Sequence, residues 1–83
     1  MEIKIHSHCL ERIQERGTTI GEVEQTILTG EQFPAKYGRI GFRKNFIYEQ
    51  EWNRKFYRNK QVEAFAVQEN DGWIVITVIT HYF

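Results

Sequence analysis

The chain has 83 residues, which is enough for one small domain and too few for two. Its 11 basic side chains balance 11 acidic ones, and no stretch approaches the roughly 20 apolar residues that a membrane-spanning helix requires. The single cysteine, Cys9, excludes an intramolecular disulfide. We therefore expect residues 1–83 to form one domain that resides in the cytoplasm and makes no contact with a membrane.

The segment after the amino terminus predicts a helix over residues 8–16. Residues 2–5 alternate weakly between polar and apolar side chains and predict a short strand before it. The hydroxyl of Ser7 can accept an unpaired backbone N–H, so we expect Ser7 to cap the helix. Gly17 tolerates a left-handed conformation and is expected to end it. The apolar face of this helix would contain Cys9, Leu10 and Ile13.

A second helix follows, and its signals are clearer. Thr18 or Thr19 is expected to cap it, and Glu22, three residues after Thr19, completes a capping box. Gly30 ends the helical pattern, so the two helices would form an αα-hairpin over residues 8–29. The apolar positions that recur at helical spacing are Ile20, Val23, Ile27 and Leu28.

After the second helix the sequence period changes to that of strands. Residues 42–52 are rich in aromatic side chains and predict a strand, and turns are expected at residues 53–55 and 58–60. Residues 62–68 alternate in character, so every second side chain should face the same side of a sheet. The members of one such face are Val62, Ala64 and Ala66.

The last part of the chain predicts a hairpin and a buried strand. Residues 70–72, Asn-Asp-Gly, form the best hairpin turn signal in the sequence. The β-branched run over residues 73–80 predicts a strand that is central and covered on both faces. Alternation would place Val75 and His81 on one face and Val78 on the other. The expected fold class is α+β, with an N-terminal αα-hairpin packed on a three- to four-stranded antiparallel sheet.

His8, Arg12 and Arg16 stand four residues apart, and such positions lie along one stripe of a helix. The stripe presents one imidazole and two guanidiniums from a rigid element, which suits the binding of a phosphate group or acid–base chemistry beside one. Two other interpretations stay open. His8 could cap the helix or bond a core carbonyl, and the arginines could pair with nearby carboxylates such as Glu15.

Three stretches of the chain carry a family resemblance: residues 8–17, with a His, Arg and Arg-Gly pattern, residues 22–30, a helix that ends in glycine, and residues 75–79. In these stretches the chain resembles a family of small bacterial domains of unknown function that is often placed with RelE/BrnT-like toxins. The wider fold group includes barnase-type and colicin-type ribonucleases. Thr18-Thr19 departs from the family pattern, in which an apolar residue and a Ser or Asp cap would fit better. The resemblance implies a toxin-like domain that engages RNA.

The same resemblance raises the hypothesis of a metal-independent endoribonuclease. Such an enzyme needs a base for the 2′-hydroxyl, an acid for the leaving oxygen and cations for the phosphorane. If the end of the last strand meets the first helix, the catalytic residues would be His8, Arg12, Arg16 and His81. For His81 a frayed polar carboxyl terminus is the open alternative.

Residues 36–60 form a basic block, with eight basic and two acidic side chains interleaved with aromatic ones. Cations and aromatic platforms together are what single-stranded nucleic acids bind. Because so small a domain needs its aromatic side chains in the core, we expect Phe42, Phe46 and Trp52 to be buried. RNA contacts are expected from Arg43, Lys44, Arg54, Lys55, Arg58 and Lys60.

Two other functions remain open at this point. A non-catalytic binding module would use the basic block to dock an acidic, antitoxin-like protein. An assembly module would form a homodimer through an exposed sheet edge. We expect no metal and no cofactor, since residues 6–8 lack further metal ligands nearby and residues 38–41 lack the ending of a phosphate-binding loop.

Overall fold

A computed structural model of residues 1–83 arranges two helices on one face of a five-stranded sheet. In chain order the elements are β1 (Ile3–Ile5), α1 (Ser7–Glu15), α2 (Ile20–Thr29), β2 (Glu31–Pro34), β3 (Ile40–Trp52), β4 (Lys55–Glu69) and β5 (Gly72–Tyr82). The strands lie in the order β1-β5-β4-β3-β2, with β1 parallel to β5 and all other neighbours antiparallel. The predicted α+β class, with N-terminal helices packed on a sheet, is confirmed. The sheet is mixed and larger than expected because the short strands β1 and β2 extend it at both edges.

The helices bury one narrow face each. Cys9 and Ile13 of α1 and Val23 and Ile27 of α2 are at most 5% exposed and join the main core. Leu10 is 43% exposed, contrary to expectation, because it lies about 100° around the helix from Cys9. Two predicted core positions of α2 are also exposed, Ile20 and Leu28.

The central strand β4 supplies the floor of the core. Val62, Ala64 and Ala66 are completely buried beneath the helices, which confirms the predicted alternation. The alternate side chains, such as Glu63 and Phe65, therefore point to the opposite surface of the sheet, which we call the open face. No helix packs on this face, because α1 and α2 both lie on the other one.

The β3–β4 hairpin has one turn where two were expected. Asn53 and Arg54 have φ values of 51° and 69°, as a two-residue turn with positive φ at both central positions requires. The second expected turn, at residues 58–60, is wrong: these residues lie inside β4, and Asn59 pairs with Ile47 of β3. Their polar character reflects exposure and an ion pair described below.

The strand β5 departs from simple alternation. Phe65 pairs with Thr77 and Ala66 with Val75, so Ile76 is an extra residue in β5. Val75 and Val78 consequently both face the core, although strict alternation placed them on opposite faces. The strand is also less central than expected. Its outer edge is paired with β1 only over residues 73–75, and beyond them this edge has no neighbouring strand.

Candidate nucleic-acid interface

The first helix begins one residue earlier than its expected cap allows. Nδ1 of His6, and not the hydroxyl of Ser7, accepts a hydrogen bond from the backbone N–H of His8 at 3.2 Å. Ser7 already lies in the first turn of α1. The imidazole that caps the helix is therefore that of His6, and the side chain of His8 is left free for another role.

The side chains of His8, Arg12 and Arg16 line one cavity of about 150 Å³. The facing wall is residues 76–78 of β5, the stretch that begins where the pairing with β1 stops. We call this cavity, with its helical stripe and its wall of residues 76–78, the α1 groove. The predicted alignment of one imidazole and two guanidiniums is thus present, and it faces an opening and not the core.

No carboxylate lines the α1 groove, and none balances its charge. Arg12 and Arg16 take part in no ion pair, and the expected alternative partner of Arg12, Glu15, does not come within 4.0 Å of it. His8 likewise makes no side-chain hydrogen bond within the chain. Two cations and an imidazole that are open to solvent can therefore all turn toward an added anion.

The end of α1 is fixed to the sheet through its carbonyl groups. The carbonyl oxygen of Arg16 accepts hydrogen bonds from Oγ1 of Thr80 at 2.6 Å and from Oη of Tyr82 at 2.9 Å. Gly17 follows at φ 75°, and a β-carbon there would meet Tyr82 and, at 2.8 Å, the ring of Trp52. This packing explains the Arg-Gly pair in the sequence: glycine allows β5 to approach and hold the backbone from which Arg16 projects.

Lys60 is bound inside the protein. Its Nζ donates to the carbonyl of Gly17 at 2.9 Å and pairs with Oε1 of Glu22 at 2.7 Å, and the residue is only 5% exposed. The same carboxylate oxygen accepts a hydrogen bond from Oγ1 of Thr18 at 2.9 Å. We call Lys60, Glu22 and Thr18 the buried lock. Lys60 was expected to contact RNA, but its ammonium is engaged within the fold and it does not belong to the candidate interface.

The buried lock also explains the departure at Thr18-Thr19. Thr18 is buried and satisfies its hydroxyl on Glu22, while Thr19 is the cap of α2 and accepts the backbone N–H of Glu22 at 3.1 Å. The predicted capping box therefore forms at Thr19. Sequence reasoning identified Glu22 as a capping residue but missed its partner Lys60, because nothing local connects residues 38 positions apart.

His81 lies away from the α1 groove. Thr80 and Tyr82 reach back to α1, so the intervening His81 points to the open face. There its Nε2 is 3.0 Å from Oε1 of Glu63, which also points to this face. The structure thus brings together three of the four expected catalytic side chains, and a second imidazole for proton transfer is not among them.

The remaining cations of the basic block are dispersed. On the open face, Arg43 lies 3.8 Å from Glu63 and 3.9 Å from Glu31, with its guanidinium carbon 4.0 Å from the centre of the Phe33 ring. Lys44 lies near the ring of Phe46. Three exposed cations without an ion pair surround the tip of the β3–β4 hairpin: Arg54, Lys55 and Arg58.

The aromatic side chains of the basic block divide between two clusters. Phe42 is 1% exposed and Phe46 packs against the main core, as expected. Trp52 is only half-buried, because it joins a separate cluster at the end of the sheet. There its ring stacks on Tyr82 with centroids 5.0 Å apart, and Tyr48 and Tyr57 pack beside Tyr82. Sequence reasoning missed Tyr82, which links this cluster to Arg16.

Two groups beside the stripe have altered acidity. Burial raises the pKa of the Cys9 thiol, and the guanidinium of Arg16 opposes that rise. Burial also raises the pKa of the Tyr82 phenol, against a lowering contribution from its hydrogen bond with Thr80. Both groups are therefore uncharged near neutral pH, and the α1 groove keeps the positive character that its arginines give it.

Comparison with known proteins yields one match. A family model described as "Domain of unknown function (DUF4258)" matches residues 5–80, nearly the whole chain. No curated protein and no solved structure matches the chain. Within the chain, no three His, Cys, Asp or Glu side chains lie close enough to hold a metal ion, and neither helix has the length and apolar character needed to cross a membrane.

Proposed function

We propose that this chain, which belongs to the DUF4258 family of domains of unknown function, engages RNA through the α1 groove. The observation that carries the proposal is the convergence of His8, Arg12 and Arg16 on one open cavity that contains no carboxylate. Guanidiniums without internal partners can form forked hydrogen bonds to phosphate oxygens. The proposal includes a kinship with RelE/BrnT-like toxins and a cytoplasmic location, where RNA is available.

Cleavage of the bound RNA is the second step of the proposal. The imidazole of His8 would accept the proton of a 2′-hydroxyl as its oxygen attacks the phosphorus, and the two arginines would stabilise the phosphorane. The bond from phosphorus to the 5′-oxygen then breaks, and water supplies the proton to the leaving oxygen, since His81 lies on the open face. Because only one imidazole serves, we expect slower cleavage than a site with two.

RNA binding is tested by a salt titration with a single-stranded oligonucleotide. Replacing Arg12 and Arg16 by glutamine should remove two charge-assisted hydrogen-bonding groups, each worth about 1.5–3 kcal/mol, and so weaken binding by at least about 100-fold at low salt. The slope of log K against log salt should become shallower by about 0.7 for each phosphate that the variant no longer neutralises. Lys4→Gln is the matched control because Lys4 is an exposed cation outside the groove. Equal affinities of the double variant and the control would refute the proposal.

Cleavage is tested separately, by incubating labelled RNA with the wild-type chain and with His8→Ala in the presence of a chelator. We expect wild-type cleavage that ends in a 2′,3′-cyclic phosphate and none from the variant. His81→Ala should cleave at the wild-type rate because His81 lies outside the groove. Binding without any cleavage by the wild-type chain would leave a non-catalytic RNA-binding domain.

The second candidate function is the docking of an acidic, antitoxin-like protein. The observation that favours it is the unpaired group Arg54, Lys55 and Arg58, which projects at the tip of the β3–β4 hairpin. A polyglutamate peptide is a suitable probe. Docking at the hairpin predicts that glutamine at these three positions abolishes peptide binding, whereas Arg12→Gln leaves it unchanged. The reverse pattern would rule out the hairpin as the docking site.

A further inference from the structure

The open face carries a second groove, of about 350 Å³, beside the loop between β2 and β3. Its walls are aromatic and its rim is cationic, with no carboxylate among the lining residues. We call it the aromatic groove, and its main residues are Phe33, Lys36, Tyr37, Arg39, Phe65 and Thr77.

The aromatic rings of this groove are available for stacking. Tyr37 is 86% exposed, far more than a side chain needed for the core, and the Arg39 guanidinium carbon lies 6.0 Å from its ring centre. Phe33 is held in place by an edge-to-face contact with Phe65, with centroids 5.8 Å apart, and by Arg43. One exposed ring and two packed rings beside unpaired cations are suited to planar, anionic ligands.

The two grooves meet at one residue. Thr77 lines both the α1 groove and the aromatic groove. It lies on the edge of β5 just past Val75, where the pairing with β1 has ended, so no neighbouring strand separates the two sides. A flexible chain can therefore pass from one groove around this edge into the other.

We infer that the aromatic groove takes the unpaired bases of the same RNA strand whose phosphates bind in the α1 groove. The inference rests on the proposed function and specifies its substrate as single-stranded RNA. Only a single strand can bend around the edge of β5 and turn its bases toward Phe33 and Tyr37. A duplex hides its base faces by stacking and pairing, so it would reach one groove at most.

Fluorescence anisotropy with three ligands tests the inference: an oligoadenylate of about ten nucleotides, an abasic strand of the same length, and an RNA duplex. Loss of one stacked base costs about 1–3 kcal/mol, so Tyr37→Ala should weaken oligoadenylate binding by about 5- to 100-fold. It should leave binding of the abasic strand unchanged, and Tyr37→Phe should retain affinity. The control is Ile47→Ala, since Ile47 is 82% exposed and lies outside both grooves.

The results separate this inference from the proposed function. If Arg12→Gln weakens binding of all three ligands but Tyr37→Ala weakens none, the α1 groove binds RNA and the aromatic groove does not. If the duplex binds as tightly as oligoadenylate, the single-strand specificity is wrong. If Tyr37→Ala reduces binding of a polyglutamate peptide and not of oligoadenylate, the groove serves a protein and the inference is overturned.

Discussion

The α1 groove and the buried lock lie at the same end of the first helix, and each holds basic side chains, but they differ in what balances the charge. Lys60 is surrounded by a carboxylate and a backbone carbonyl and is removed from water. Arg12 and Arg16 face a cavity without any acidic group. In the lock, the partners already satisfy the ammonium, whereas in the groove the guanidiniums keep their donors for a ligand.

This difference teaches that the burial of a basic residue, and not its place in a basic block, decides its role. A cation can stay buried only when it is paired and hydrogen-bonded, so a buried lysine must have an internal partner. An exposed arginine at a cavity has no such requirement. The predictions that follow break the lock, break the link between the two regions, and then examine the border between them.

The largest expected effect comes from breaking the lock with Lys60→Ala. Removal of one partner leaves Glu22 and the carbonyl of Gly17 without their donor, which costs about 3 kcal/mol, the low end for a buried pair because Glu22 is partly exposed. Chemical denaturation should show this loss, together with a fall in the melting temperature of about 10–20 °C. Lys55→Ala is the control, since that exposed side chain should change stability by less than about 0.5 kcal/mol.

A double variant tests the origin of that loss. Replacing Lys60 by methionine and Glu22 by leucine removes both charges and keeps apolar volume. If the cost of Lys60→Ala arises from a stranded carboxylate, the double variant should recover much of the stability. Equal stability of Lys60→Ala and Lys55→Ala would mean that the lock contributes nothing.

The next effect breaks the link between lock and groove at Gly17. Gly17→Ala combines a left-handed backbone, which costs about 1–2 kcal/mol, with overpacking against Tyr82 and Trp52, which costs about 1–3 kcal/mol more. Gly38→Ala is a close control because Gly38 has a similar φ of 71° and open space around it. We expect denaturant unfolding to show the smaller loss for Gly38→Ala. Equal losses would show that β5 does not press on Gly17.

Much of the fold could be predicted because its signals are local. The capping box at Thr19, the turn at Asn53 and the alternation of Val62, Ala64 and Ala66 each depend on residues within a few positions of one another. The bulge at Ile76 could not be predicted, since it is visible only in the pairing of β5 with β4. The same holds for β1, a strand of three residues that is stable only because β5 accepts it.

For the candidate interface, the helical stripe could be predicted and the surroundings could not. The spacing of His8, Arg12 and Arg16 places them on one line whatever the tertiary structure. The separation of His81 from this stripe depends on which face of β5 turns toward α1, and the extra residue at Ile76 reverses that assignment relative to Val75. The burial of Lys60 depends on Glu22, which reaches it only through the packing of α2 on β4.

A smaller effect concerns the two hydroxyls that hold the carbonyl of Arg16. Thr80→Val and Tyr82→Phe should each cost about 1 kcal/mol, because the carbonyl keeps one donor in either variant. The double variant leaves it with none, so its cost should exceed the sum of the two. A double-mutant cycle by denaturant unfolding measures this coupling. Strictly additive losses would mean that the two donors act independently.

The smallest effect lies at the border of core and groove, at Cys9. Because burial raises its pKa above 9.0, the folded state holds the thiol proton more tightly than the unfolded chain does. The resulting stability is fully present below about pH 9 and is lost as pH rises through the folded pKa. Cys9→Ala should therefore show a shallower alkaline loss of stability than the wild type, measured as the free energy of unfolding against pH.

The same thiol reports on the groove. The guanidinium of Arg16 opposes the rise in the pKa of Cys9, so Arg16→Gln should move the thiol titration to higher pH, as followed by thiolate absorbance. Lys4→Gln should leave it unchanged, because Lys4 lies outside the α1 groove. A bound phosphate group near Arg16 should also shift the titration upward, since its negative charge offsets that of the guanidinium. If neither Arg16→Gln nor RNA moved the titration, the charge of Arg16 would not act in the groove, and the contrast with Lys60 would lose its basis.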